Sequence, residues 1–550
     1  MTEFLIANMA PLMFASLVVF LLCGFPVAFS LAANGILFGL IGIELGLLHG
    51  ALFQALPERI FGIMANDTLL AVPFFTFMGL ILERSGMAED LLDTIGQLFG
   101  PVRGGLAFAV VFVGALLAAT TGVVAASVIS MGLISLPIML RYGYDHRLAT
   151  GVIAASGTLA QIVPPSLVLI VMADQLGRSV GDMYQGALLP GLILTGMYLG
   201  YVGLVAIFRP ALAPAMPLEA RTLREDSGAS GLRSLAWLFA IAVAGAWLFA
   251  NRVYSADAPR DELVVVSSMV GIGIAFVIAI LNRILGLGLL SRMAERITFV
   301  LIPPLGLIFL VLGTIFIGVA TPTEGGAMGA SGALLMALLR ARLSLPLLKQ
   351  AMDSTTKLSC FVIFILIGSS VFSLTFRGVD GDLWVEHLMT SLPGGQTGFL
   401  IAVNILVFIL AFFLDYFELA FIIVPLLAPV ADKLGIDLIW FGVLLAVNMQ
   451  TSFLHPPFGF ALFFLRSVAS EKVKTASIYW GAVPFVIIQL LAVGLIIMFP
   501  GLVSHDGGHV KSGVQQELNL DQLLHGGGGG GAAGPDDHGA SDLMRQLQGN

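Results

Sequence analysis

A cluster of polar residues followed at once by a Pro-Pro pair occurs twice in this chain, each time inside an otherwise apolar run. The first runs from Ser156 through Gly157, Thr158 and Gln161 to Pro164-Pro165; the second runs from Asn448 through Gln450, Thr451, Ser452 and His455 to Pro456-Pro457. Proline supplies no N–H and crowds the preceding turn, so such a stretch is expected to break a helix and free several carbonyls. Both breaks belong to a longer repeat. Residues Pro101 to Pro165 overlay Pro393 to Pro457 without a gap at a constant offset of 292, which also matches Pro137 with Pro429, Gly143 with Gly435 and Asp145 with Asp437. Random placement of so few prolines would match only about 0.3 of them, so the stretch reads as a duplication.

The surroundings of those breaks are a lipid bilayer. The 550 residues are 58% hydrophobic and 11% charged, with mean hydropathy +0.99, whereas an ordinary soluble domain carries about a quarter charged residues. Apolar runs such as Phe4 to Leu22, Gly186 to Ile207 and Ile478 to Met498 are long enough to cross about 30 Å of hydrocarbon, and roughly a dozen to fourteen spans are expected, re-entrant pieces included. No basic region precedes the first apolar run, so it is expected to be a retained helix. Cys23 and Cys360, the two cysteines, stand in apolar surroundings and are expected to be buried small side chains. The net charge of -8 gives no basic nucleic-acid footprint. Among catalytic motifs, G-x-S-x-G, H-E-x-x-H and the Walker loop are all missing, so the chain reads as no enzyme.

Broken helices at membrane depth survive only where protein or a water-lined site satisfies their backbone, and a matched pair of them points to a substrate and ion site. Arginine placement orients the two copies. Arg209, Arg221, Arg224 and Arg233 mark one loop as cytoplasmic, as do Arg283, Arg292 and Arg296 another, while the acidic loop between them, with Asp257, Asp261 and Glu262, belongs outside. Counting spans outward puts Asp174 to Gln185 outside and its equivalent, Arg466 to Thr475, inside. The expected fold is therefore all-α, a polytopic membrane protein with two inverted repeats, re-entrant hairpins and broken helices. Residues 504–550, with the run Gly526 to Gly531, are expected to be a disordered tail.

Several side chains in the repeats suit an alkali cation or a proton. The first hairpin tip, Ala119-Thr120-Thr121-Gly122, followed by Ser127 and Ser130, offers hydroxyls and freed carbonyls, although hydroxyls in membrane helices also bond back to their own turn. Asp415 stands between apolar runs, and a carboxylate at that depth costs on the order of 3 kcal/mol, so it faces a cavity, pairs or titrates unless it only ends a helix at the interface. Asn448, Thr451 and Ser452 would add neutral oxygens opposite it. His455 is read as bonded to a freed carbonyl, with a proton relay as the other reading. Thr321 and Glu324 around Pro322 read as a capping box. The run of Glu83, Arg84, Glu89 and Asp90 reads as a solvated face.

The stretches Val72-Pro73-Phe74-Phe75 with Met78-Gly79, Ser85-Gly86-Met87-Ala88, Leu148 to Pro165, Gly318 to Glu324 and Phe413 to Pro457 together resemble the large membrane subunit of a tripartite ATP-independent periplasmic (TRAP) transporter. The resemblance implies sodium-driven uptake of an organic acid (carboxylate) across the bacterial inner membrane. Its partners would be a periplasmic substrate-binding protein and a small four-helix membrane subunit. It also implies an elevator-type transport domain moving against a scaffold. Carried over by residue, one sodium site falls at Thr120, Thr121 and Gly122 with Ser156, Gly157 and Thr158, and the other at Asp415 with Asn448, Thr451, Ser452 and the turn at Pro456. Scaffold helices are then expected over 1–70 and 186–356, transport repeats over 71–185 and 357–475, and a last helix over 476–503, with a helix pair inserted at Ser234 to Ile280. A stand-alone carboxylate carrier of the same fold and a membrane-embedded enzyme are the other readings.

Overall fold

The computed structural model describes residues 2–503 except 123, 224–230, 253–259, 413 and 458, and the side chains of 22, 119–121 and 260–262 are also left undescribed. The expectations for the tail and for most of the acidic loop lie outside the described residues. Every regular element among those described is helical. The chain opens with α1 (Thr2–Ala7), α2 (Met9–Leu22), α3 (Val27–Glu44) and α4 (Leu56–Met64). The first repeat comprises α5 (Asp67–Arg84), α6 (Met87–Phe99), α7 (Gly105–Thr121), α8 (Val124–Arg141), α9 (His146–Thr158), α10 (Leu167–Leu176) and α11 (Val180–Phe208). Between the repeats lie α12 (Leu232–Arg252), α13 (Arg260–Leu285), α14 (Arg292–Phe316) and α15 (Pro322–Leu339). The second repeat follows as α16 (Leu345–Gly378), α17 (Gly381–Thr390), α18 (Gly395–Leu410), α19 (Tyr416–Ile422), α20 (Val424–Lys433), α21 (Leu438–Met449), α22 (Phe460–Val468) and α23 (Thr475–Met498). Among the described residues, eight helices are long and apolar enough to cross a membrane, ten if each of two bent pairs is one span, and four shorter apolar helices supplement them. Helix α5 runs the full 18 residues from Asp67 to Arg84: Asn66 caps it by accepting the Thr68 amide at 2.9 Å, and Pro73 sits inside the helix.

The duplication extends to the element boundaries. Helices α8 and α20 end at Arg141 and Lys433, α9 and α21 begin at His146 and Leu438, and α10 and α22 end at Leu176 and Val468, each pair 292 apart. The reason lies in the shared residues. Gly143 and Gly435 both adopt positive φ, of 81° and 72°, a turn that costs glycine nothing. Asp145 then accepts the Arg147 and Leu148 amides at 2.9 and 3.1 Å, and Asp437 accepts the Trp440 amide at 2.7 Å, so both half-helices start on the same N-cap. Both proline pairs hold a cis bond. The prolines alone do not break the helix, for Pro303-Pro304 lies inside α14.

Packing between the repeats is reciprocal, which is what a two-fold axis produces. The first-half α3 packs on α16 while α15 packs on α5, and α10 packs on α21 while α22 packs on α9. That second exchange fixes the relative orientation. Helices α9 and α10 have 13 and 10 residues, about 20 and 15 Å, so each spans roughly half a bilayer. Two copies running the same way would set α9 beside α21; instead α10, which leaves the first break, lies beside α21, which approaches the second. The repeats are inverted. Small residues allow the tightest crossings: a Cβ on Gly35 would stand 2.8 Å from the Val371 oxygen, and Gly151 and Gly481 face each other's helix backbone between α9 and α23.

Two expectations fail. Both cysteines are exposed, because the outside of a membrane bundle is as apolar as its core and takes a small apolar side chain equally well. The charge run at the base of the first hairpin is not simply solvated: Asp90 pairs with Arg342 at 2.8 Å, and Arg84 donates to Ser354 at 2.9 Å. The capping box at Thr321 and Glu324 is formed.

Candidate functional site

The two helix breaks and the two hairpin tips converge on one cavity of about 230 Å³. Four pairs of its lining residues are repeat equivalents, each 292 apart: Val124 with Tyr416, Ala125 with Phe417, Gln161 with Phe453, and Val168 with Phe460. The cavity therefore lies on the two-fold axis. Gly122 and Asp415 add the tips, and Leu358, Phe361 and Phe464 complete the wall. Among its described lining residues Asp415 is the only acid, and there is neither lysine nor arginine. Val124, Tyr416 and Phe460 are the first residues of α8, α19 and α22, and Val168 is the second of α10; the α19 N-terminus is capped by Asp415, which leaves three helix N-termini bordering the space with their partial positive charge uncompensated.

The tips are built differently. Gly122, at φ 57°, ends α7, and its Cα packs over Leu167 at the start of α10, where an added Cβ would come within 3.0 Å. The side chains of Thr120 and Thr121 lie outside the described residues; their backbone closes α7. At the second tip Asp415 caps α19, accepting the Glu418 amide at 2.8 Å, while the Glu418 carboxylate accepts the Asp415 amide at 2.8 Å. Asp415 thus caps the start of α19 and lines the cavity at the same time.

Of the first proposed ion set, Ser156 and Thr158 are fully buried and bond back to their own helix, Ser156 to the Val152 oxygen at 2.6 Å and Thr158 to the Ala155 oxygen at 2.8 Å. Gly157 is a packing residue, its Cα facing Val128 of α8. Of the second set, Asn448 donates to the backbone and side-chain oxygens of Asn404 at 2.8 and 3.0 Å, and Thr451 donates to the Asn448 oxygen at 2.6 Å. The Asn448 side-chain oxygen and the Ser452 hydroxyl are buried with no partner. Pro456 stands half-buried at the turn. Asp415 shares the cavity with Phe453, the neighbour of Ser452, and its side-chain bond runs to its own helix. His455 does not bond a freed carbonyl; both ring nitrogens lack partners, and the ring stacks on Phe412 at 4.2 Å and meets Phe408 at 4.4 Å.

The axis carries a polar knot that sequence reasoning missed in part. Gln450 donates to Thr158 at 3.0 Å, and these two residues are equivalents in the two repeats. Gln489 of α23 donates to Tyr198 of α11 at 2.9 Å and to Thr158 at 3.4 Å. Gln489 was visible as a lone amide in Ile487-Ile488-Gln489-Leu490; Asn404 and Tyr198 gave no comparable signal.

Against this geometry the comparison with protein families is decisive: the model for the tripartite ATP-independent periplasmic transporter DctM component matches residues 14–502. The chain belongs to this family. The permease is 28% identical over 450 residues to the C4-dicarboxylate TRAP transporter large permease protein DctM of Pseudomonas aeruginosa, covering 82% of this chain and 88% of that one. It is 24% identical over 496 residues to the ectoine TRAP transporter large permease protein TeaC of Halomonas elongata, covering 90% and 97%. Among solved structures it is similar to the Alcanivorax borkumensis YdaH transporter, with TM-score 0.48 and 15% identity over 82% of this chain and 90% of that one. The permease is thus a multi-pass inner-membrane transport subunit rather than an enzyme.

Proposed function

We propose that this permease drives uptake of an organic acid with sodium, taking the acid from a periplasmic binding protein and working with a small membrane subunit. The observation that carries this reading is the charge balance of the axial cavity. Three helix N-termini favour an anion there, while Asp415 opposes one and no basic side chain in the lining offsets it. A cation taken up with the substrate supplies the missing charge. The orphaned oxygens of Asn448 and Ser452 fit a hard alkali ion, as do the Ser156 hydroxyl and the carbonyls freed near Gly122 and Pro456, whereas the Thr158 hydroxyl is already saturated by Ala155, Gln450 and Gln489. Ions at these places would order the hairpin tips around the substrate, and the hairpins with their broken helices, 71–185 and 357–475, would move as the transport domain against the remaining helices.

Uptake into membrane vesicles tests this directly. The expected result is transport that requires a sodium gradient and the binding protein together; transport driven equally well by a proton gradient without sodium contradicts it.

A further inference from the structure

Resting on the reading of the axial cavity as the substrate site, we propose that its substrate is a monocarboxylate with an aromatic body, rather than a small dicarboxylate. Six rings face the space, from Phe361, Tyr416, Phe417, Phe453, Phe460 and Phe464, and the lining contains no lysine or arginine to meet a second carboxylate. A second ionised group would lie against these rings without a partner, which is costly. A ring in their place gains apolar burial and edge-to-face contact. Size agrees: an apolar cavity of about 150 Å³ admits benzene, so about 230 Å³ holds a ring and a short carboxylate arm.

The polar end has its own receptor. Gln161 is 1% exposed, lines the cavity, and has a side-chain oxygen without a partner. Half a turn about its last bond presents the amide N–H instead, a donor suited to a single carboxylate. The N-termini of α8 and α10, first-repeat helices of 18 and 10 residues, add their partial charge on the same side. One anionic group is therefore accommodated at the Gln161 side and an apolar body at the side walled by the second repeat.

The test is direct binding to the purified complex of the permease with its small membrane subunit, read as a shift in thermal midpoint on titration with phenylacetate or succinate, with and without sodium. The proposal expects sodium-dependent stabilisation by phenylacetate and little by succinate. Phe453→Leu and Phe464→Leu, each checked for an unchanged midpoint without ligand, should weaken phenylacetate by about tenfold. Gln161→Leu should weaken every carboxylate alike. Equal or stronger stabilisation by succinate overturns the aromatic assignment and leaves the carboxylate reading intact. Stabilisation by neither acid overturns both, since the cavity is then no substrate site.

Discussion

The two repeats share a backbone and differ in what they point at the axis. Capping aspartates, left-handed glycines and helix breaks recur at Asp145 and Asp437, Gly143 and Gly435, and the two proline pairs. Around the cavity the first repeat offers Val124, Ala125, Gln161 and Val168, and the second answers with Tyr416, Phe417, Phe453 and Phe460. The backbone was kept because reciprocal packing needs matching lengths and turns in both halves. The side chains diverged because a ligand on a two-fold axis has no symmetry of its own. A wall of small aliphatic side chains with one amide, facing an aromatic wall, gives an asymmetric substrate one way to sit.

The sharpest difference in packing is at the α9–α23 crossing, and it gives the largest expected effect. Gly151 abuts the backbone at Gly481, while the equivalent position in the second repeat is Val443. Gly151→Val should cost several kcal/mol, because two backbones must part, and should abolish a monodisperse peak in detergent chromatography. Survival of a normal peak would show that the crossing is loose.

Next comes the contrast between tips. Asparagine caps a helix about as well as aspartate, so Asp415→Asn removes charge and keeps the cap. The expected outcome is normal abundance with a sodium requirement raised by at least about tenfold, roughly 1.4 kcal/mol, in vesicle uptake. An unchanged sodium dependence removes Asp415 from the ion site. Thr158 and Gln450 probe the axis itself. Thr158→Val and Gln450→Leu should each lower stability by about 1–2 kcal/mol, and the double variant should cost less than their sum, since both delete one shared bond. Strict additivity in thermal unfolding would separate them. The smallest effects belong to what the repeats share: Asp145→Ala and Asp437→Ala should each cost about 1 kcal/mol and match one another in a thermal scan.

Prolines and capping residues made the duplication, the breaks and the inversion readable, since their effects are local and depend on the backbone alone. The cavity was less readable. Its lining pairs stand at the same offset, but only the fold shows that Val124 and Tyr416 face one space. Asn404 and Tyr198 escaped notice because each meets its polar partner across a long stretch of chain, on a helix that looks uniformly apolar. His455 was misread for a related reason: its neighbours are Phe408 and Phe412, brought in by the hairpin, rather than the carbonyls beside it. Lipid exposure hid the cysteines, because apolar surroundings in a membrane do not distinguish inside from outside.

The whole account turns on equivalent residues of two oppositely oriented halves meeting at the axis. Thr158→Cys together with Gln450→Cys, in a Cys23→Ser, Cys360→Ser background with a protease site between the repeats, tests that meeting with a bis-methanethiosulfonate reagent about as long as the glutamine arm it replaces, since the contact runs through the end of the Gln450 side chain. The account predicts that the halves stay joined on a denaturing gel after cleavage until the linker disulfides are reduced. Halves that separate on that gel although both thiols have reacted would contradict it.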